Sequence, residues 1–94
     1  MILVGKGILS KFARDHASAR DAIAAWILEV ENASWRSIVD VKARFPSVSL
    51  IGNDRLVFNL KGNHFRLDVQ VNYSAQVVLL RRIGTHAEYD SWTF

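Results

Sequence analysis

The stretch from His64 to Tyr73, HFRLDVQVNY, alternates at every position. Phe65, Leu67, Val69, Val71 and Tyr73 fall on one side of an extended chain, and His64, Arg66, Asp68, Gln70 and Asn72 on the other. Such a strand has one face that must be buried and one that can meet solvent, so another layer has to cover the apolar side. The neighbouring segments keep the same period. VSLI from Val48, RLVFNL from Arg55 and VVLLRRI from Val77 read as three more strands, divided by GND, KGN and NYSAQ turn residues. The opening MILV is a further short apolar run and reads as the first strand.

The cover has to come from the first half, where the period is helical. Residues 6–15 predict a short helix with Ile8, Leu9 and Phe12 on one side. Ser18 is the expected start of a stronger helix to about Glu31, in which Ile23, Trp26, Ile27 and Val30 form one buried stripe. Ser37, with Asp40 three residues on, predicts the cap of a third helix that Pro46 ends. Trp26 and Trp35 are expected in the core. The expectation is an α+β domain over residues 1–94, a helical hairpin on one face of a four- or five-stranded, mostly antiparallel twisted sheet.

Charge and residue usage narrow the function classes. There is no cysteine, so disulfides and thiolate metal ligands are excluded. His16, His64 and His86 have no recognisable zinc-ligand spacing, and no metal or cofactor is expected. No apolar run reaches the roughly 20 residues of a membrane span, and the N-terminus lacks a signal-type apolar core. The expected location is the cytoplasm. The net charge of +3 lies wholly in residues 42–94, where Lys42, Arg44, Arg55, Lys61, Arg66, Arg81 and Arg82 face four acids. A basic half of this kind suits a polyanionic partner.

The run DVKARFP, the hairpin GNDRLVFNLKGNHFRL and the ending LRRIGTHAEYD resemble the HigB-type toxins of bacterial toxin–antitoxin systems, within the RelE-like superfamily. The resemblance runs in order from about Trp35 to Asp90, and GTHAEYD is its most specific piece. It implies a RelE-like fold, ribosome-dependent cleavage of messenger RNA in the A site, and neutralisation by an antitoxin that usually carries a helix-turn-helix domain. Operator DNA would be reached only through that antitoxin. Asp68 departs from the pattern, where an apolar or basic residue is expected, and so does Arg82, where an aromatic or aliphatic one is commoner.

Cleavage of RNA by its own 2′-hydroxyl needs a base, an acid for the leaving 5′-oxygen, and cations for the phosphorane, without a metal. Arginine suits the last role because its fork spans two phosphate oxygens and keeps its charge. Arg66 and Arg81 are the candidates; each could instead be a solvated sheet residue or a partner of Asp68 or Asp54. In a regular strand Arg82 faces away from Arg81 and ranks below it. Thr85 and Glu88 fit a capping box, which leaves His86, Tyr89 and Asp90 unexplained by capping. Spacings of three and four place those three on one side of a helix. His86 and Tyr89 are the candidate proton-transfer groups, with Asp90 either orienting the imidazole or lying free. Lys61, His64, Arg55, Arg82 and Asp90 are candidate RNA contacts, and His16 a surface or capping residue. A gyrase-binding relative of the superfamily and a non-catalytic RNA-binding module are the alternatives. The second would offer exposed aromatic rings for stacking, whereas Phe65 and Tyr73 are expected to face the core.

Overall fold

The computed structural model describes residues 1–94. Five strands, β1 (Ile2–Val4), β2 (Ser49–Leu50), β3 (Arg55–Leu60), β4 (Phe65–Asn72) and β5 (Val77–Thr85), form one sheet in the order β1-β5-β4-β3-β2. All neighbours are antiparallel except β1 and β5. Four helices accompany it: α1 (Gly7–Asp15), α2 (Arg20–Glu31), α3 (Ile38–Arg44) and the short α4 (His86–Tyr89). The architecture is the α+β arrangement expected for a RelE-like fold.

The alternation of residues 64–73 sets the layers. Phe65, Leu67, Val69 and Val71 are buried in one cluster with Leu9 and Phe12 of α1, Ile23, Trp26 and Val30 of α2, and Val41 of α3. Phe58 of β3 sits at its aromatic centre, edge-on to Trp26 at 5.3 Å and to Phe45 at 5.0 Å, and stacked with Trp35 at 6.2 Å. Both tryptophans are therefore core residues, as the sequence predicts.

Helix starts differ in detail from the sequence expectation. Ser18 does not cap α2; it lies inside a 3-10 turn over Ala17–Ala19 that feeds the helix without a side-chain cap. Ser37 does cap α3, accepting a hydrogen bond from the Val39 amide. Asp40 reaches one residue further back than a capping box requires, to the Arg36 amide at 2.9 Å and the Arg36 guanidinium at 3.1 Å. Those bonds hold its carboxyl below the usual range.

The largest difference lies on the second face of the sheet. The sequence leaves this face open, with Arg66 on it, yet Arg66 is only 8% exposed and Asp68 is fully buried. The cause is the chain's last turn: α4 and residues 91–94 fold back over this face. A Cβ built on Gly84, the cross-strand partner of Arg66, would lie 2.9 Å from Trp92 Cζ2. Only a residue without a side chain lets Trp92 approach the sheet this closely.

Candidate active site

The C-terminal motif is fixed by its first residue. The Glu88 amide donates to Thr85 Oγ1 at 3.2 Å, and the Thr85 amide donates to Glu88 Oε1 at 2.9 Å, closing both halves of the capping box. The bond from the Thr85 backbone is the main reason the Glu88 carboxyl titrates below its ordinary value; its link to the Thr85 side chain and the nearness of His16 add to this. The His86 amide donates to the carbonyl of His64, which ties the start of α4 to the end of the β3–β4 hairpin. His86 Nδ1 lies 3.6 Å from Asp90 Oδ2, within ion-pair reach but beyond a hydrogen bond, and both side chains are exposed.

Arg66 is the charged group most tightly held at this end of the sheet. Its Nη1 donates to the carbonyls of Asn63 at 3.0 Å and Phe65 at 3.4 Å. Its guanidinium carbon lies 5.3 Å from the centroid of the Tyr89 ring. No carboxylate pairs with it. The two bland fates for Arg66, solvated or bound to Asp68, are both absent. A nearly buried cation without a counter-anion is costly unless an anion completes it.

Asp68 is occupied elsewhere. Arg55 grips it through Nε at 3.2 Å and Nη2 at 2.5 Å, and Arg82 Nε adds a third bond at 3.1 Å. Asp68 and Arg82, the two positions that depart from the expected pattern, are thus cross-strand partners. Each departure supplies the charge that the other needs. Val57, opposite Asp68 on β3, is buried beneath the cluster.

The strand carrying Arg81 and Arg82 is not regular, and this corrects the expected facing. Asp68 pairs with Arg82 but Val69 pairs with Leu80, so Arg81 is the extra residue of a β-bulge. Arg82 consequently shares the face of Arg66. Arg81 is exposed and pairs with no acid; it borders a cleft of about 290 Å³ with Arg55, Asp68, Arg82, Thr93 and Phe94. The structure thus brings Arg66, Tyr89 and His86 to one end of this face, with Arg81 further along it.

Residues 19–92 match a family model described as HigB toxin, the RelE-like toxic component of a toxin–antitoxin system. The chain belongs to the HigB toxin family. Membership implies an antitoxin as partner. No curated protein matches the sequence.

Other candidates in this HigB-family chain sit at the margins. Lys61 and His64 occupy the exposed β3–β4 turn, which Lys61 enters with φ of +51°. His64 lies beside α4 through its carbonyl, which accepts from the His86 amide, whereas the Lys61 side chain makes no hydrogen bond or ion pair. His16 does stand at a cap, closing α1 with its amide donating to the Phe12 carbonyl, but its ring is not free: it stacks on Phe12 at 4.0 Å, and its Nδ1 is buried without a partner. No set of His, Asp and Glu is gathered as metal ligands. The aromatic end of the chain was missed by sequence reasoning. Trp92 and Phe94 lie 4.5 and 5.0 Å from the guanidinium carbon of Arg82, and Phe94 also meets Arg55 at 5.7 Å. A tail of three or four residues carries no periodicity, so its only signal was the pair of aromatics in SWTF.

Proposed function

We propose that this HigB-family toxin is a metal-independent endoribonuclease that cuts messenger RNA in the ribosomal A site and so blocks translation. The observation that carries this reading is Arg66: nearly buried, held by two carbonyls and an aromatic ring, and without a carboxylate. A scissile phosphate supplies the missing anion. As the 2′-hydroxyl oxygen attacks, charge grows on the equatorial oxygens of the phosphorane, where a fixed guanidinium stabilises it most. Arg81, exposed at the bulge, is the second cation of the groove. His86 and Tyr89 exchange the two protons, one taking the 2′-hydroxyl proton and the other protonating the departing 5′-oxygen. The Tyr89 hydroxyl makes no hydrogen bond within the chain and is free for this role. Asp90 faces Nδ1 of His86, which directs Nε2 to the substrate.

Lys61, His64 and Arg55 extend the contact to flanking RNA. Arg55 and Arg82 keep part of their field although Asp68 offsets one charge between them. The antitoxin, in this reading a helix-turn-helix protein that alone contacts operator DNA, is acidic where it meets the arginines. A gyrase-binding toxin has no use for an uncompensated buried arginine beside a histidine and a tyrosine.

The test is to program ribosomes with a defined message, add the chain, and map ends by primer extension. Cuts within the A-site codon are expected, with little cleavage of the same message free of ribosomes. Expression without the antitoxin is expected to arrest bacterial growth. Intact message together with normal growth at confirmed soluble expression contradicts the proposal.

A further inference from the structure

Phe94 is out of place on ordinary grounds. It is a large apolar ring, 55% exposed, whereas the other two rings on this face, Tyr89 and Trp92, are half-buried against Arg66 and Arg82. It is nevertheless not adrift. Two guanidinium carbons lie against it, Arg82 at 5.0 Å and Arg55 at 5.7 Å, and both arginines are themselves fixed by the buried Asp68. The carbonyl of the preceding Thr93 accepts a bond from Arg82 Nη2 at 2.9 Å, which pins the backbone. The ring thus has a rigid cationic backing and an open side. Its centroid is 6.4 Å from that of Tyr89, so it borders the candidate chemistry, and it lines the same cleft as the unpaired Arg81.

A flat apolar surface with cations around it is what single-stranded nucleic acid requires. Every base has a face to stack, every nucleotide carries a phosphate, and a pre-fixed ring loses little entropy on binding. We propose that Phe94 is a base-stacking platform for a nucleotide flanking the cut, with Arg81 taking that nucleotide's phosphate. Asp68 is then a positioning residue, because it holds the two arginines that hold the ring. The inference rests on the RNA-cleaving reading for its biological meaning, but the platform binds RNA whether or not the chain cuts it.

The experiment measures equilibrium binding of a short single-stranded RNA to the full chain, with the oligonucleotide also carrying one abasic site at each position in turn. Phe94→Ala is expected to weaken binding by between about 5-fold and about 100-fold, the range for losing one base–aromatic stack. Phe94→Trp restores it. Phe94→Leu keeps an apolar cover over Arg55 and Arg82 but does not. One abasic position weakens wild-type binding and has no further effect on Phe94→Ala, whereas Arg81→Ala reduces the dependence on salt. Wild-type binding by Phe94→Ala, or full rescue by Phe94→Leu, overturns the platform. So does a defect of Phe94→Ala toward the antitoxin alone, which assigns the ring to a protein contact. Intact RNA binding with no cleavage on programmed ribosomes leaves the platform standing and removes the nuclease instead.

Discussion

Arg66 and Asp68 stand two residues apart on β4 and share a face, yet their energetics are opposite. Asp68 is matched by two guanidiniums, so removing its charge strands both. Asp68→Asn is expected to destabilise the chain by roughly 3 kcal/mol in urea unfolding, the low end for a broken buried ion pair, because both arginines keep some access to water. Arg66 has no such partner. Arg66→Met keeps the stem and removes an uncompensated charge, so its melting temperature is expected to equal or exceed that of the wild type. A drop of many degrees would assign Arg66 to structure. The sequence revealed the facing of these side chains through strict alternation. It could not reveal their burial, because the residues that cover them come from the last turn of the chain. It also left the pairing of Asp68 open, since charge partners across strands depend on register.

Elements differ in how far their own residues specify them. α4 is written almost entirely in THAE: the capping box predicted from those four residues is present in both halves. Thr85→Ala is expected to cost about 1 kcal/mol, read by urea unfolding. Glu88 titrates below its ordinary value when folded, so its contribution is complete above the usual carboxylate range. It is lost as pH falls through the lowered folded value. Acid titration followed at the Trp92 indole N–H NMR signal is therefore expected to show α4 loosening below that range, and Glu88→Gln to weaken this step. The bulge in β5 was not legible. VVLLRRI reads as an unbroken strand, and the extra residue at Arg81 appears only when β4 is laid beside it. Gly84 is a further element-scale constraint. Gly84→Val is expected to expel Trp92 from the sheet face, seen as a shift of its indole N–H NMR signal, while those of Trp26 and Trp35 in the helical layer stay in place.

At the scale of the molecule, one face of the sheet makes the core and the other carries the candidate site. The helical layer was predictable because the apolar stripe of α2 and the apolar side of β4 each need a partner, and each is the other's. The charge division was only partly informative. Arg44 in the basic half is spent on Glu29 of α2, and that pair holds the Glu29 carboxyl below its ordinary value; the cations left there without an acid are Lys42, Lys61, Arg66 and Arg81, of which the two arginines lie at the candidate site. Antitoxin binding is accordingly expected to weaken as salt rises, and less steeply for Arg81→Ala, by titration calorimetry across ionic strengths. In the proposed nuclease, Arg66 is kept uncompensated in order to meet a phosphate. The deciding measurement is the single-turnover rate at which Arg66→Met cuts a defined message in the A site of programmed ribosomes. A fall of about 10²–10³ relative to wild type, the cost of losing one well-placed donor, is the expected result. Cutting at the wild-type rate by the folded variant would contradict it.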